Sequence, residues 1–197
     1  MSIKFCLITL GAILIFNGIL FSQEGKAALE HSYIGTKGCK KCHLKQARSW
    51  EQTNMAQAYN LLKSGKRAEA KKSVGLDPEK DYTKDADCLP CHTTGYGEPG
   101  GFVSLEKTPE LAGVGCEMCH GAGSEYTQEQ YMSLKNKEFK LAEVVKAGLV
   151  SPVTGETCTT RCHNEKSPFF KKDQPFNFKE RKEQGTHEHF ALKYKHE

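Results

Sequence analysis

Apolar residues are concentrated at the start of the chain. After Met1-Ser2-Ile3-Lys4 the sequence runs apolar from Phe5 to Phe21, and nowhere else is there a run that could span a bilayer. Beyond a polar lead, Gln23 to Ser32, the apolar positions are sparse and follow short helical periods. Ala47, Trp50, Met55, Ala58, Tyr59 and Leu62 recur at helical spacing, which predicts a helix from near Leu44 to about Lys63 with Gly65 as its stop. A second helix is predicted over Lys66 to Val74, ending at Gly75, and a third over Glu138 to Ala147 with Gly148 as its C-terminal cap. Asn177 with Glu180 marks the start of a last helix, which is expected to carry Thr186-His187-Glu188-His189-Phe190. Phe102-Val103-Ser104-Leu105 is the one short strand expected. The pattern is mainly α with little β.

A single basic residue before an apolar run of 17 residues, Phe5 to Phe21, reads as a secretory signal. Residues 1–22 are taken as that signal and residues 23–197 as one domain. Ser22 is a plausible residue before the cut, with Ala27 and Ala28 as others. The alternative is an uncleaved anchor, since the run is at the short limit for a span. Cys6 lies within this segment.

Composition leaves a shortage. The chain is 38% hydrophobic, and much of that lies in the first segment. The remaining stretch is poor in material for a core, so something else must fill it.

The cysteines supply the answer. Cys39-Lys40-Lys41-Cys42-His43, Cys88-Leu89-Pro90-Cys91-His92 and Cys116-Glu117-Met118-Cys119-His120 each place a histidine directly after a Cys-x-x-Cys pair. Cys158-Thr159-Thr160-Arg161-Cys162-His163 is a variant with one extra residue. This is the c-type haem attachment pattern. The two cysteines bond to the vinyl groups of one porphyrin, and the histidine then lies over the iron. Zinc, disulfides or a redox dithiol can each use Cys-x-x-Cys, but none requires the histidine. With 8 histidines in 197 residues, four such coincidences have a chance of about one in a few hundred thousand. Four haems are therefore expected, with His43, His92, His120 and His163 as proximal ligands. The first cysteines stand at 39, 88, 116 and 158, so the steps of 49, 28 and 42 exclude tandem modules of constant length.

Four porphyrins replace the missing apolar core. A compact chain of this length has a radius of gyration of roughly 16 Å, so the plates must lie close enough for electrons to hop. Bacterial c-type haems are attached outside the inner membrane, so a periplasmic or cell-surface location is expected. A membrane association follows only if the first segment is uncleaved. Phe169, Phe170, Phe176 and Phe178 are expected to pack on haem, and Gly95, Gly97, Gly100 and Gly101 to let backbone lie against porphyrin faces.

The formal charge of +4 belongs to the polypeptide alone. Each ferric haem with its two propionates contributes about −1, which leaves the whole near neutral and gives no reason to expect nucleic-acid binding. Lys63, Lys66, Arg67, Lys71 and Lys72 form a basic face, either simply solvated or suited to an acidic redox partner.

The chain resembles the tetrahaem cytochrome c-554 family. The resemblance is carried by Cys42-His43 with Gln46 and Ser49-Trp50, by Leu76-Asp77-Pro78-Glu79-Lys80-Asp81-Tyr82-Thr83, and by Gly95-Tyr96-Gly97 with Gly100-Gly101. It is densest at Gly113-Val114-Gly115-Cys116-Glu117 with Cys119-His120-Gly121. It covers residues 35 to about 125, and after that only the fourth motif and His187-Glu188-His189. The family implies a mainly helical fold wrapped on stacked haem pairs. It also implies an electron carrier that accepts electrons from a hydroxylamine-oxidoreductase-like donor and passes them to another cytochrome. Three of its haems are six-coordinate, and the open one corresponds to the haem of Cys88, Cys91 and His92.

The departures concern the distal ligands, which are histidines in the family. Met55 and Gln130 stand where two of them fall, with Met132 close to the second, and only His187 matches directly. A second strong ligand is usually His or Met. Beyond the first segment and the proximal histidines these are His31, His187, His189, His196, Met55, Met118 and Met132. Met118 is inside a haem loop and cannot reach around the plate. If His43 and Met55 share one helix they are about 18 Å apart, whereas ligands across an iron are about 4 Å apart. Met55 therefore serves another haem or is a packing residue. The resemblance assigns Met55 to the haem of His163, the region of Met132 to the haem of His43, and His187 to the haem of His120, with His189 as rival. A methionine ligand raises the potential, so mixed ligation would make a staircase for electrons.

The expected function is electron relay between proteins. Two others were weighed. One is an enzyme acting on a small nitrogen oxide at the haem of His92, for which Thr93 to Gly101 offers only Tyr96 and Glu98 as acid or base. The other is a subunit of a multihaem filament or membrane complex, in which His31 or His196 ligates a haem of the next chain.

Overall fold

The structure is a computed structural model that describes residues 31–192 and residue 194. The first segment with Cys6, and His196, lie outside the described residues. Among the described residues every regular element is a short helix, and none is long and apolar enough to cross a membrane. In order these are α1 (Thr36–Lys40), α2 (Leu44–Trp50), α3 (Ala68–Ser73), α4 (Leu89–His92), α5 (Glu117–His120), α6 (Leu141–Lys146), α7 (Gly155–Arg161) and α8 (Phe178–Gly185). Two 3-10 turns, Ala58–Leu62 and Pro109–Leu111, are interspersed.

The expected mainly α fold is observed, but its boundaries differ from the periodicity. The helix expected over Leu44 to Lys63 stops at Trp50. The Thr53 hydroxyl donates to the Trp50 carbonyl at 2.7 Å. The next segment then runs along the chain before the third motif: the Val114 N–H donates to the Met55 carbonyl at 3.0 Å, and the Trp50 indole donates to the Val114 carbonyl at 2.9 Å. Backbone groups that a helix would have consumed are thus spent on a distant strand of chain. His43 and Met55 therefore do not share a helix, and the separation argued from one does not hold.

No strand forms at Phe102 to Leu105. The Phe102 N–H donates to the Thr94 carbonyl at 2.9 Å, and the single bridge among the described residues joins Thr93 to Ala112. Helix α3 is shorter than expected because Arg67, its N-cap, has a left-handed φ of 54°. Helix α6 ends before Gly148, whose φ of 101° makes it the expected terminator. Helix α8 stops at Gly185, with Thr186 as its cap. His187 and His189 thus lie beyond the last helix and not on it.

Two small apolar clusters do the packing. Tyr59, Leu62, Tyr82, Leu89, Phe102 and Leu111 form the first, in which the Tyr59 and Phe102 rings lie 5.5 Å apart. Tyr126, Val144 and Ala147 form the second, with Met132 and Phe139 on its edge. Each is far smaller than the single core expected of a domain this size. The glycines near the second motif serve a different contact from the one expected. A Cβ on Gly101 would lie 1.7 Å from the Gly95 carbonyl oxygen, and one on Gly95 would strike the Tyr33 ring at 2.3 Å. Backbone meets protein there.

The basic face also loses a member. Lys71 is buried, donates to the Lys63 carbonyl at 2.8 Å and lies over the Tyr82 ring. Lys63, Lys66, Arg67 and Lys72 stay exposed.

Candidate haem-binding site

Each attachment motif is built on a short helical turn. Helices α1, α4, α5 and α7 carry or lead into the four motifs. The N–H groups of His43, His120 and His163 donate to the carbonyls of Cys39, Cys116 and Cys158 at 2.9, 3.0 and 3.0 Å. That turn puts both sulfurs and the imidazole on one side, as a rigid porphyrin demands. In the fourth motif the extra residue is absorbed by the longer α7, opened by a capping box between Thr154 and Thr157.

The chemistry of the donors suits iron. Burial lowers the pKa of His43, His92, His120 and His163, so each imidazole stays neutral and keeps a lone pair. The His92 Nδ1 lies 2.7 Å from the Ala58 carbonyl. With Nδ1–H donating there, Nε2 is left to coordinate, as ring-orienting hydrogen bonds do at metal sites. Among the described residues no three His, Cys, Asp or Glu side chains converge on a point.

The loops meet in pairs. The Cys39 and Cys116 sulfurs are within hydrogen-bonding reach of each other, and the Thr36 hydroxyl lies 3.7 Å from the Cys116 sulfur. Cys91 and Cys162 form a second such pair, and the Cys91 sulfur is 4.0 Å from the Arg161 carbonyl. The first loop thus meets the third, and the second meets the fourth. Nothing in the motif order foretells it.

The distal candidates separate. His187 faces His120 with ring centroids 6.3 Å apart and planes 27° from parallel. Two metal–nitrogen bonds of about 2 Å plus two ring radii of about 1.1 Å span about 6 Å. That spacing would accommodate one iron between the two rings. The His187 Nδ1 is 2.8 Å from the Glu188 carbonyl, and the Glu188 N–H donates to the Ser49 hydroxyl at 2.8 Å, which fixes the tail on α2. His189 lies 5.2 Å from His187 and is not paired with a motif histidine. The Met55 methyl reaches the end of α8, 3.9 Å from where a Cβ of Gly185 would stand. Met132 packs on the second apolar cluster, and the Met118 sulfur accepts from the Gly95 N–H at 3.2 Å. The His31 ring is tucked against Gly148, and its Nδ1 is buried with no hydrogen-bond partner among the described residues.

His163 stacks on Phe176 at 4.1 Å and opens on a cleft of about 520 Å³ lined by Thr159, Thr160, Phe170 and Pro175. The expectation that the phenylalanines serve the fourth haem suits Phe170 and Phe176. Phe169 is half exposed and lies outside this lining, and Phe178 packs on Gly155.

One cluster was missed by sequence reasoning. Glu98, after the second motif, accepts from both the Tyr33 hydroxyl and the Arg161 guanidinium, the latter at 3.1 Å. It ties the second and fourth loops to the lead segment. Burial, followed by the Glu98 hydrogen bond, pushes the Tyr33 pKa from 10 to about 12. The folded state thus favours the neutral phenol. Its contribution is present below pH 10 and is lost as pH rises from about 10 to 12. Tyr33→Phe is expected to flatten the fall in denaturant midpoint across that window. An unchanged slope would show that the phenol does not titrate there. The effect is modest because the side chain is about half exposed.

The profile described as cytochrome c554 and c-prime matches residues 38–121. The chain is 46% identical over 99 residues to cytochrome c-554 of Nitrosomonas europaea, a match covering 50% of this chain and 42% of that protein. In sequence it therefore spans less than half of that relative. The structure superposes on the reduced state of cytochrome c554 from Nitrosomonas europaea with a TM-score of 0.75 and 32% identity, covering 85% of this chain and 90% of the other. With the attachment motifs, the paired imidazoles and this coverage in agreement, the chain belongs to the cytochrome c554 family, whose members bind c-type haem.

Proposed function

We propose that this chain is a periplasmic electron-transfer protein that relays electrons through four covalently bound c-type haems between redox partners. The observation that carries this reading is the meeting of the attachment loops in pairs, first with third and second with fourth. Each haem supplies one-electron iron chemistry when bound. The chain holds the attachment points close, keeps four imidazoles neutral, and sets each ligand by backbone hydrogen bonds.

Membership of the family supports an open coordination position at the haem of His92. A hydroxylamine-oxidoreductase-like donor and a cytochrome acceptor suit the resemblance. The exposed Lys63, Lys66, Arg67 and Lys72 offer an acidic partner a place to dock.

The test is made on protein exported with its haem-attachment machinery. Intact mass is expected to show four haem increments and no residues of the first segment. Reductive titration should take up four electrons per chain, and cyanide should perturb one haem only. Fewer than four electrons, or a fourth motif with free thiols, would overturn the four-haem relay. Four inert low-spin irons would remove the open position.

A further inference from the structure

Glu117 is 1% exposed, and no basic side chain among the described residues pairs with it. Its Oε1 accepts from the N–H groups of Ile34 at 2.9 Å and Gly123 at 2.7 Å, and its Oε2 accepts from Gly35 at 2.8 Å. Both oxygens are thus used as acceptors by groups that can only donate. That is the pattern of an ionised carboxylate, since a protonated one would waste a donor against N–H. Backbone dipoles solvate the charge without cancelling it.

Its place is specific. Glu117 follows Cys116 directly. Gly35, which donates to it, offers its carbonyl to the Cys39 sulfur at 4.0 Å, and the next residue, Thr36, touches the Cys116 sulfur. The carboxylate thus adjoins the third motif directly and is one residue, Gly35, from the Cys39 sulfur of the first. The loops of the second and fourth motifs meet elsewhere, at Cys91 and Arg161, where the Arg161 charge is paired with Glu98.

We propose that Glu117 is a buried fixed anion that lowers the reduction potentials of the haems of His43 and His120 relative to those of His92 and His163. The proposal rests on the four-haem reading above. A negative charge favours the ferric state, which carries one more positive charge than the ferrous. At about 10 Å and an effective dielectric near 20, one charge changes a redox equilibrium by about tenfold. Salt screens it little, because it is buried. Glu117 is a positioning residue as well, holding the segment 31–35 on the third loop, so its test must read a potential.

Mass spectrometry of Glu117→Gln comes first, because a chain short of four haems would concern the haem reading and not this one. In fully loaded Glu117→Gln, spectroelectrochemistry resolved by electron paramagnetic resonance is expected to show the haems of His43 and His120 about tenfold easier to reduce. The other two should not move. Glu117→Asp, which keeps the charge, should leave all four near wild type. Equal shifts at all four haems, or none in the Gln variant, would overturn the proposal. Should the Gln variant fail to load, the wild-type titration decides. The signal of the His120–His187 haem must then persist to lower potential than those of His92 and His163, and the reverse order would overturn the proposal.

Discussion

Replacing His187 by leucine is expected to convert the haem of His120 from low spin to high spin. Leucine fills the imidazole's volume and offers no lone pair. The His120 and His187 rings are separated by 6.3 Å at 27°, which is what two nitrogens bonded to one iron require at about 2 Å each. Packed against each other without an intervening group, stacked rings would sit well inside that distance. The His163–Phe176 pair shows this at 4.1 Å. One of the low-spin resonance signals should vanish in His187→Leu, and a high-spin signal should replace it. His189→Leu is the control. Among the described residues His189 meets His187 and, at 3.5 Å, the Thr186 hydroxyl, so its loss should leave the spectrum alone. If the two variants behave the other way round, the tail shifts by two residues and His189 is the ligand. His187→Met should keep the iron low-spin and raise its potential, because a thioether favours ferrous iron.

The second large effect is expected at Met55. If Met55 ligates the haem of His163, the oxidised protein should show a far-red sulfur-to-iron charge-transfer band, and Met55→Leu should abolish that band and leave one iron high-spin. Met55→His also removes the band but lowers the potential of that haem. The structure supplies part of the motive. The turn that ends α2 at Trp50 carries Met55 away from His43, and its methyl lies at the end of α8. Helix α8 in turn packs on α7, which bears the fourth motif, through Phe178 on Gly155. If Met55 only packs there, Met55→Leu changes stability by less than about 1.5 kcal/mol and no spectrum changes. Met132, on the edge of the second apolar cluster, would then be the remaining methionine for a mixed-ligand haem.

The haem chemistry was legible in the sequence because covalent geometry writes it there. Two thioether bonds and one iron bond to a rigid plate leave a single local spacing, and Cys39 to His43, Cys88 to His92 and Cys116 to His120 state it without reference to any other part of the chain. The shortage of apolar residues likewise foretold small cores, and the structure has two. Gly148 ended α6 as its sequence position promised, since a left-handed φ is a local property. Helix lengths were not legible. The period over Leu44 to Lys63 is real, but distant Val114 takes up the backbone and indole groups that would have continued α2. His187 was placed on a helix by the same local logic, whereas it is held beyond α8 by Ser49. The pairing of the loops, the Tyr33–Glu98–Arg161 cluster and the capture of Glu117 by Gly35 had no local signal at all. Each joins groups 63 or more residues apart in the chain. Contacts at that separation depend on how the whole chain closes, and no pattern within one segment encodes them.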